Sequence, residues 1–297
     1  MTARYVCRID PDAIAALDVH VHIEADGHGR FSLEQPLMEA SSAYFKAGAD
    51  RTPTLDQVAA YYRERRMAAV VFTVDAGTAR GHAPLSSAEI AEGAAAHADV
   101  LIPFGSVDPL RGAAAVEQAR RLVEDHGVLG FKFHPSLQGF SPNDQQHYPL
   151  WQTLAELGVV ALFHTGQTGI GAGLPGGYGI KLRYSDPMLL DDVAADFPGL
   201  TMILAHPSVP WVDSSLSIAT HKSNVYLDLS GWSPKYFPAQ LVRQAGTVLR
   251  HKVLFGSDFP VLTPDRWLAD FATLDVKDAA RPLILKENAL GVLGLRA

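Results

Sequence analysis

Leu157-Gly-Val-Val-Ala-Leu-Phe163, followed by His164-Thr-Gly-Gln-Thr-Gly-Ile-Gly-Ala-Gly-Leu-Pro-Gly-Gly-Tyr-Gly-Ile180, is the stretch on which the fold turns. It carries no Asp, Glu, Lys or Arg and is long enough to suggest a membrane span. Eight glycines, Pro175 and His164 break it, however, and only 157–163 is continuously apolar. The segment therefore reads as a buried strand running into a glycine-rich loop. The same pattern recurs along the chain. Apolar runs of strand length lie at 17–23, 68–75, 100–108, 128–134, 159–165, 200–206, 224–229 and 252–258. Helical stretches lie between them, at 54–66 behind a Thr54 cap, 86–97, 112–126, 147–157 and 187–197, with more towards the end. Runs that are apolar throughout, rather than alternating, belong to strands buried on both faces, as in a parallel sheet covered by helices. Eight such units in 297 residues fit a (β/α)8 TIM barrel better than an open doubly wound sheet. No GxGxxG follows the first run, so a dinucleotide fold lacks its signature. One barrel domain is expected over 1–297. A polar and aromatic insert after the first strand, 24–53, is a candidate lid that would bring Phe31, Tyr44 or Phe45 towards a ring substrate.

Composition narrows the function. The chain is 47% hydrophobic and 19% charged, which is globular. Lys and Arg number 25 against 32 Asp and Glu, a net charge of −7, and no basic run is present. Nucleic acid is thus a poor partner, since phosphate needs clustered cations. The single cysteine, Cys7, excludes an intrachain disulfide framework and a Cys-rich metal cluster. The opening residues contain no apolar h-region, so the expected location is the cytoplasm and no membrane partner is expected.

The chemistry gathers at the ends of the apolar runs. In Asp18-Val-His-Val-His22, residues two apart in a strand share a face, so His20 and His22 project together while Val19 and Val21 face the other way. Two buried imidazoles side by side are costly without partners and can instead share a metal ion. Lys132 and His134 end the fourth run, His164 the fifth, His206 the sixth and Asp258 the eighth. In a parallel barrel these ends open on one mouth, the catalytic face. One such residue is ordinary hydrogen bonding; a set ending successive runs is a site.

The ordered set DVHVH, GFKFHP, FHTG, AHPSVPW, NVYLDLSGW and FGSDFP resembles the amidohydrolase superfamily over nearly the whole chain. The likeness is specifically to the branch called amidohydrolase family 2, which contains metal-dependent hydrolases and decarboxylases. It implies that His20, His22, His164 and Asp258 hold one divalent metal, and that His206 beside it handles protons or orients water. Three imidazoles and a carboxylate suit zinc first, with manganese or iron as alternatives. An open position on such an ion brings the pKa of bound water down towards ~7, and Asp258 would take the water's proton. Lys132 stands where binuclear relatives carry a carboxylated lysine. The expectation here is one ion and a free Lys132, with a grip on substrate oxygen or a structural ion pair as its other readings. His134 is a candidate substrate-binding residue.

Longer blocks, among them RTPTLDQVAAYYRERRMAAVVFTVDA and NVYLDLSGWSPKY, resemble the 4-hydroxyphenyl-β-ketoacyl-CoA hydrolases within that family. The implied reaction is retro-Claisen cleavage of an aromatic β-ketoacyl-CoA by metal-bound hydroxide, in aromatic catabolism. The alternative is metal-dependent non-oxidative decarboxylation of an aromatic or muconate-type acid. The expected partner is a small molecule, a CoA thioester in the first case; a homo-oligomer is left open.

Overall fold

The computed structural model describes residues 4–45 and 52–296. Eight parallel strands stand in sequence order: β1 (Ala16–His22), β2 (Met67–Phe72), β3 (Leu101–Gly105), β4 (Gly130–Phe133), β5 (Val160–His164), β6 (Met202–Ala205), β7 (Val225–Asp228) and β8 (Val253–Leu254). Val19 N donates to Phe255 O at 3.0 Å and Val21 bridges Phe259, which joins the last strand back to the first. This is the expected TIM barrel. Alternate strand residues sort into two apolar clusters. Leu17, Val19, Val70, Ile102, Leu162 and Ile203 fill the interior, whereas Val71, Leu101, Ala161 and Leu204 pack beneath the outer helices. Helix α2 (Leu55–Glu64) starts at the Thr54 cap, closed by a reciprocal bond between Gln57 and the Thr54 backbone. The insert holds a second helix, α1 (Gln35–Phe45). No helix among the described residues is long and apolar enough to cross a membrane.

Two local departures position the site. The β1–β2 register shifts between Asp18 and Val21, so strict alternation fails there. Val19 accordingly packs inside the barrel with Leu17 and only Val21 packs outside, which corrects the expectation that both valines face away from the histidines. Asp18 is tied elsewhere: it accepts from Tyr62 Oη of α2 at 2.7 Å, from Ser257 Oγ at 2.5 Å and from Ser257 N at 3.0 Å. Second, the ladders are shorter than the apolar runs, and β8 is only two residues long. His134, His206 and Asp258 therefore lie just beyond the strand ends, on backbone free to leave the ladder. His206 and Asp258 take φ of 72° and 69°, a left-handed conformation that costs an L-residue roughly 1–2 kcal/mol. Asp258 is pinned there by its N–H to His20 O at 3.0 Å.

Candidate functional site

The end of β1 delivers His20, fully buried, and His22, partly exposed. Their Nε2 atoms are 3.2 Å apart. Asp258 Oδ1 completes the triangle, 3.3 Å from His20 Nε2 and 3.1 Å from His22 Nε2. Two atoms each about 2.1 Å from one ion stand about 3.0 Å apart at a right angle and about 3.4 Å apart at the tetrahedral angle. The observed edges fall between those limits, so the donor set fits one divalent cation. Burial, the largest influence, pushes the Asp258 carboxyl up, but the His22 hydrogen bond and charge, with His206 and Lys132, hold it below its ordinary value. It is therefore a ready anionic ligand.

His164 and His206 adjoin this triangle, with His206 Nε2 2.9 Å from His164 Nδ1 and the His20 and His206 ring centroids 4.9 Å apart. His164 lies outside the three residues whose ligand atoms converge within 4.8 Å. Its Nε2 is buried without a partner. His134 stacks on it, centroids 3.7 Å apart and planes 9° from parallel. The Leu137 N–H donates to His134 Nδ1 at 3.3 Å, which makes that nitrogen the acceptor and leaves the proton on Nε2. That donor too is buried and unpartnered. Burial keeps the imidazoles of His20, His134 and His164 well below their usual range, and neighbouring positive charge adds to it. His206 is brought down to about 4 by burial against the pull of Asp258.

Lys132 is completely buried, its Nζ 2.9 Å from His20 Nε2 and 5.1 Å above the Phe72 ring. Burial lowers its ammonium to about 8, opposed by the carboxylates of Asp258 and Asp228. Asp228 and Ser230 are residues that sequence reasoning passed over. Asp228 Oδ2 lies 2.5 Å from His20 Nδ1, and Ser230 Oγ is 2.9 Å from the Nδ1 atoms of both His20 and His206. A carboxylate behind a ligating imidazole orients the ring and raises its basicity. Their signal was present: Asp228 and Ser230 are two apart at the end of the seventh run, the spacing that marked His20 and His22.

Above these groups lies a cavity of about 370 Å³. Its floor is His22, His134, His164, His206 and Asp258, and its walls include Leu33, Met38, Phe45, Ile170, Trp232 and Tyr236. Tyr44 and Phe45 of α1 line it, while Phe31 does not and stays 40% exposed. Phe45 crosses to the loop after β5, where a Cβ on Gly169 would fall 2.3 Å from its Cζ. No Lys or Arg is among the described lining residues.

A family model described as "Amidohydrolase" matches residues 17–295. No curated protein matches the chain. Among solved structures, an uncharacterised TIM-barrel protein from Bordetella bronchiseptica is 21% identical, covers 94% of this chain and 99% of its own, and superposes with a TM-score of 0.75. A dihydroxybenzoic acid decarboxylase from Polaromonas sp. JS666, with bound manganese and 2-nitroresorcinol, is 19% identical over 96% and 98% of the two chains, TM-score 0.69. A "probable 2-pyrone-4,6-dicarboxylic acid hydrolase" from Acinetobacter baumannii is 14% identical over 95% and 100%, TM-score 0.63. Several further matches are decarboxylases of aromatic acids. At these identities the likeness speaks to the fold. None of the named matches is a β-ketoacyl-CoA hydrolase, so the finer resemblance within the family is not carried by them, and the ion named in a neighbour is manganese rather than zinc.

Proposed function

Because this chain belongs to the amidohydrolase family, we propose that it is a metal-dependent decarboxylase of a small aromatic acid bearing a phenolic hydroxyl. The observation that carries the reading is the cavity. At about 370 Å³ it lies near the small end of ligand sites, its walls carry aromatic and apolar side chains beside a few small polar ones, and its imidazoles gather on the floor with Asp258. A single ring acid matches it. A CoA thioester would also need cations for its phosphates, and the described lining offers none. The decarboxylase neighbours support the same choice over retro-Claisen hydrolysis.

In this reading His20, His22 and Asp258 hold the ion, with His164 beside them as a further proposed ligand. The bound ion would act as a Lewis acid for the carboxylate and phenol oxygens. His134 donates its unpartnered Nε2–H to a substrate oxygen. His206, uncharged at neutral pH because burial brings it to about 4, accepts the phenolic proton at Nε2. It then returns that proton to the ring carbon that carries the carboxylate. The carbon–carboxylate bond breaks, its electron pair stays with the ring, and carbon dioxide leaves. The phenolate product regains one proton from solvent on release. Helix α1 acts as the lid, with Tyr44 and Phe45 keeping water from the ring. Lys132, uncarboxylated, holds positive charge beneath the site.

The test is release of carbon dioxide from a panel of hydroxybenzoic acids by manganese- and zinc-loaded enzyme, with an aryl β-ketoacyl-CoA run in parallel. Turnover of a phenolic acid that disappears in His206→Ala is expected. Cleavage of the thioester alone would overturn the reading.

A further inference from the structure

His206 lies one residue past the end of β6, where the β5–β6 ladder has closed on His164 and Ala205. Two residues there, His206 and Ser208, take φ of 72° and 56°. An L-residue keeps such a conformation only where its surroundings compel it. The loop after β7 holds the ring: His206 Nδ1 is 2.9 Å from Ser230 Oγ, and a Cβ on Gly231 would fall 2.7 Å from that nitrogen. What compels the backbone comes from the other side, from β5. We propose that Thr165 and Ser208 are positioning residues, a pair of hydroxyls that clamp the loop after β6 to the loop after β5 and so hold the His206 ring in place beside His164. That the ring so held accepts a substrate proton rests on the decarboxylase reading; the clamp itself does not.

The bonding leaves one arrangement. Thr165 Oγ1 is 2.7 Å from the Ala205 carbonyl oxygen, which can only accept, so the single Thr165 hydroxyl proton goes there. The same Oγ1 is 2.6 Å from Ser208 Oγ, and with its own proton committed it must accept, so Ser208 donates. Neither hydroxyl titrates, so the arrangement does not depend on pH. Both residues are fully buried, so solvent does not compete for these bonds. Thr165 directly follows His164 and Ala205 directly precedes His206. The clamp therefore joins the chain just beyond one imidazole to the chain on both sides of the other, and the two rings meet with His206 Nε2 2.9 Å from His164 Nδ1.

The main chain reinforces the contact. Gln167 N–H donates to Val209 O at 2.7 Å, and a Cβ on Gly166 would fall 2.7 Å from the Ser208 carbonyl carbon. Without Thr165 Oγ1, Ser208 Oγ is left with the His206 carbonyl at 3.5 Å, a poor bond. His164 has less need of the clamp, since the β5–β6 ladder already holds it. The acceptors of the two hydroxyls are Ala205 O and Thr165 Oγ1, not His20, His22 or Asp258. Loss of the clamp should accordingly move His206 and leave the metal triangle where it is.

The experiment compares Thr165→Val, which keeps the shape and removes both bonds, with Thr165→Ser, which keeps the hydroxyl, and with Ser208→Ala, all in the full-length protein. The His206 Cε1–H signal is read by ¹H–¹³C NMR in metal-stripped protein, with His206→Gln for assignment. It should be a single resonance in wild type and Thr165→Ser, and shifted or split in Thr165→Val and Ser208→Ala. In manganese-loaded enzyme, kcat for a phenolic acid should fall ~10–100-fold in Thr165→Val, the loss expected when a reacting group is misplaced by about 1 Å. KM and manganese affinity should stay at their wild-type values, and Thr165→Ser should recover kcat. A His206 signal unmoved in Thr165→Val overturns the clamp, as does a Thr165→Ser as defective as Thr165→Val. If Thr165→Val does not fold, an unmoved signal in Ser208→Ala overturns it instead. Manganese affinity falling in step with kcat also overturns it, since the hydroxyls would then act through the metal site. Wild type that releases carbon dioxide from no phenolic acid defeats the decarboxylase reading, and the His206 signal then decides the clamp alone.

Discussion

Gly256→Ala is the sharpest test of how the metal centre is held. Gly256 follows β8, and its backbone is not in the left-handed region, so alanine brings no conformational penalty there. Space is the difficulty. A Cβ would fall 2.1 Å from Asp228 Oδ1, 2.9 Å from Asp228 Cγ and 3.0 Å from His20 Cβ. Ordinary contact begins at 3.4 Å, so Oδ1 must retreat by 3.4 less 2.1, or 1.3 Å. That oxygen accepts the Ser230 N–H at 2.9 Å, and Oδ2 on the same group holds His20 Nδ1 at 2.5 Å. The retreat cannot preserve both. Overpacking of this kind costs about 1–3 kcal/mol. At ~2–4 °C per kcal/mol for a large domain, Tm should fall by roughly 2–12 °C. Manganese affinity should fall ~10–100-fold, because His20 loses its orienting carboxylate. Differential scanning calorimetry and metal titration read the two effects without any knowledge of the substrate. Gly199→Ala is the control, since its Cβ meets nothing within 4 Å, and it should change neither. A lowered Tm with wild-type metal affinity would show that Asp228 does not orient His20 for binding.

His22→Ala removes one corner of the triangle, and metal content after dialysis should drop to background while circular dichroism is unchanged. Chelation of the loaded wild type should lower Tm; at a metal concentration 100 times Kd the bound ion stabilises by about 2.7 kcal/mol, and a Tm indifferent to chelator would exclude the site. Gly169→Val should push Phe45 off the loop after β5 and weaken binding of hydroxybenzoic acids, read by tryptophan fluorescence, without touching metal affinity. Arg111→Met tests a pair away from the centre: burial raises the Asp75 carboxyl, and Arg111, 3.2 Å away, opposes that rise. With the guanidinium gone, the folded-state pKa climbs further above the unfolded value, and stability is lost as pH rises through it. The Tm deficit against wild type should therefore be wider at neutral pH than below the ordinary carboxylate range, and an equal deficit at both would refute the assignment.

The barrel was legible because both faces of its strands are buried, which writes apolar runs such as 159–163 directly into the chain. The site was legible where a polar residue interrupts that pattern. His164 at the end of β5 and Lys132 inside β4 stand out because nothing around them is charged. Asp228, within NVYLDLSGW, is not legible as a site residue, because a lone carboxylate ending a run is ambiguous without its partner 208 positions away, His20, whose Nδ1 stands 2.5 Å from it. Val19 was misplaced for a different reason. Alternation presumes a regular ladder, and a register shift leaves no mark in residue type.

The pocket walls show why fold and metal come more readily than substrate. Met38, Tyr44 and Phe45 come from α1, Ile170 from the loop after β5, and Trp232 and Tyr236 from the loop after β7. No period connects these residues, because loops and a lone helix carry no repeating constraint. The floor is different. His20, His22, His206 and Asp258 are bound to one another through His20: Asp258 N–H donates to the His20 carbonyl, and Ser230 ties the His20 ring to that of His206. A change at any of them propagates to the rest, so the chemistry is fixed as a unit. A change at Trp232 or Phe45 alters only the shape above it. The same barrel can thus exchange one ring acid for another by altering walls alone. Substitutions on the walls should shift which acid is bound while leaving metal affinity constant, and those at His20, His22 and Asp258 should lose the metal whichever acid is offered.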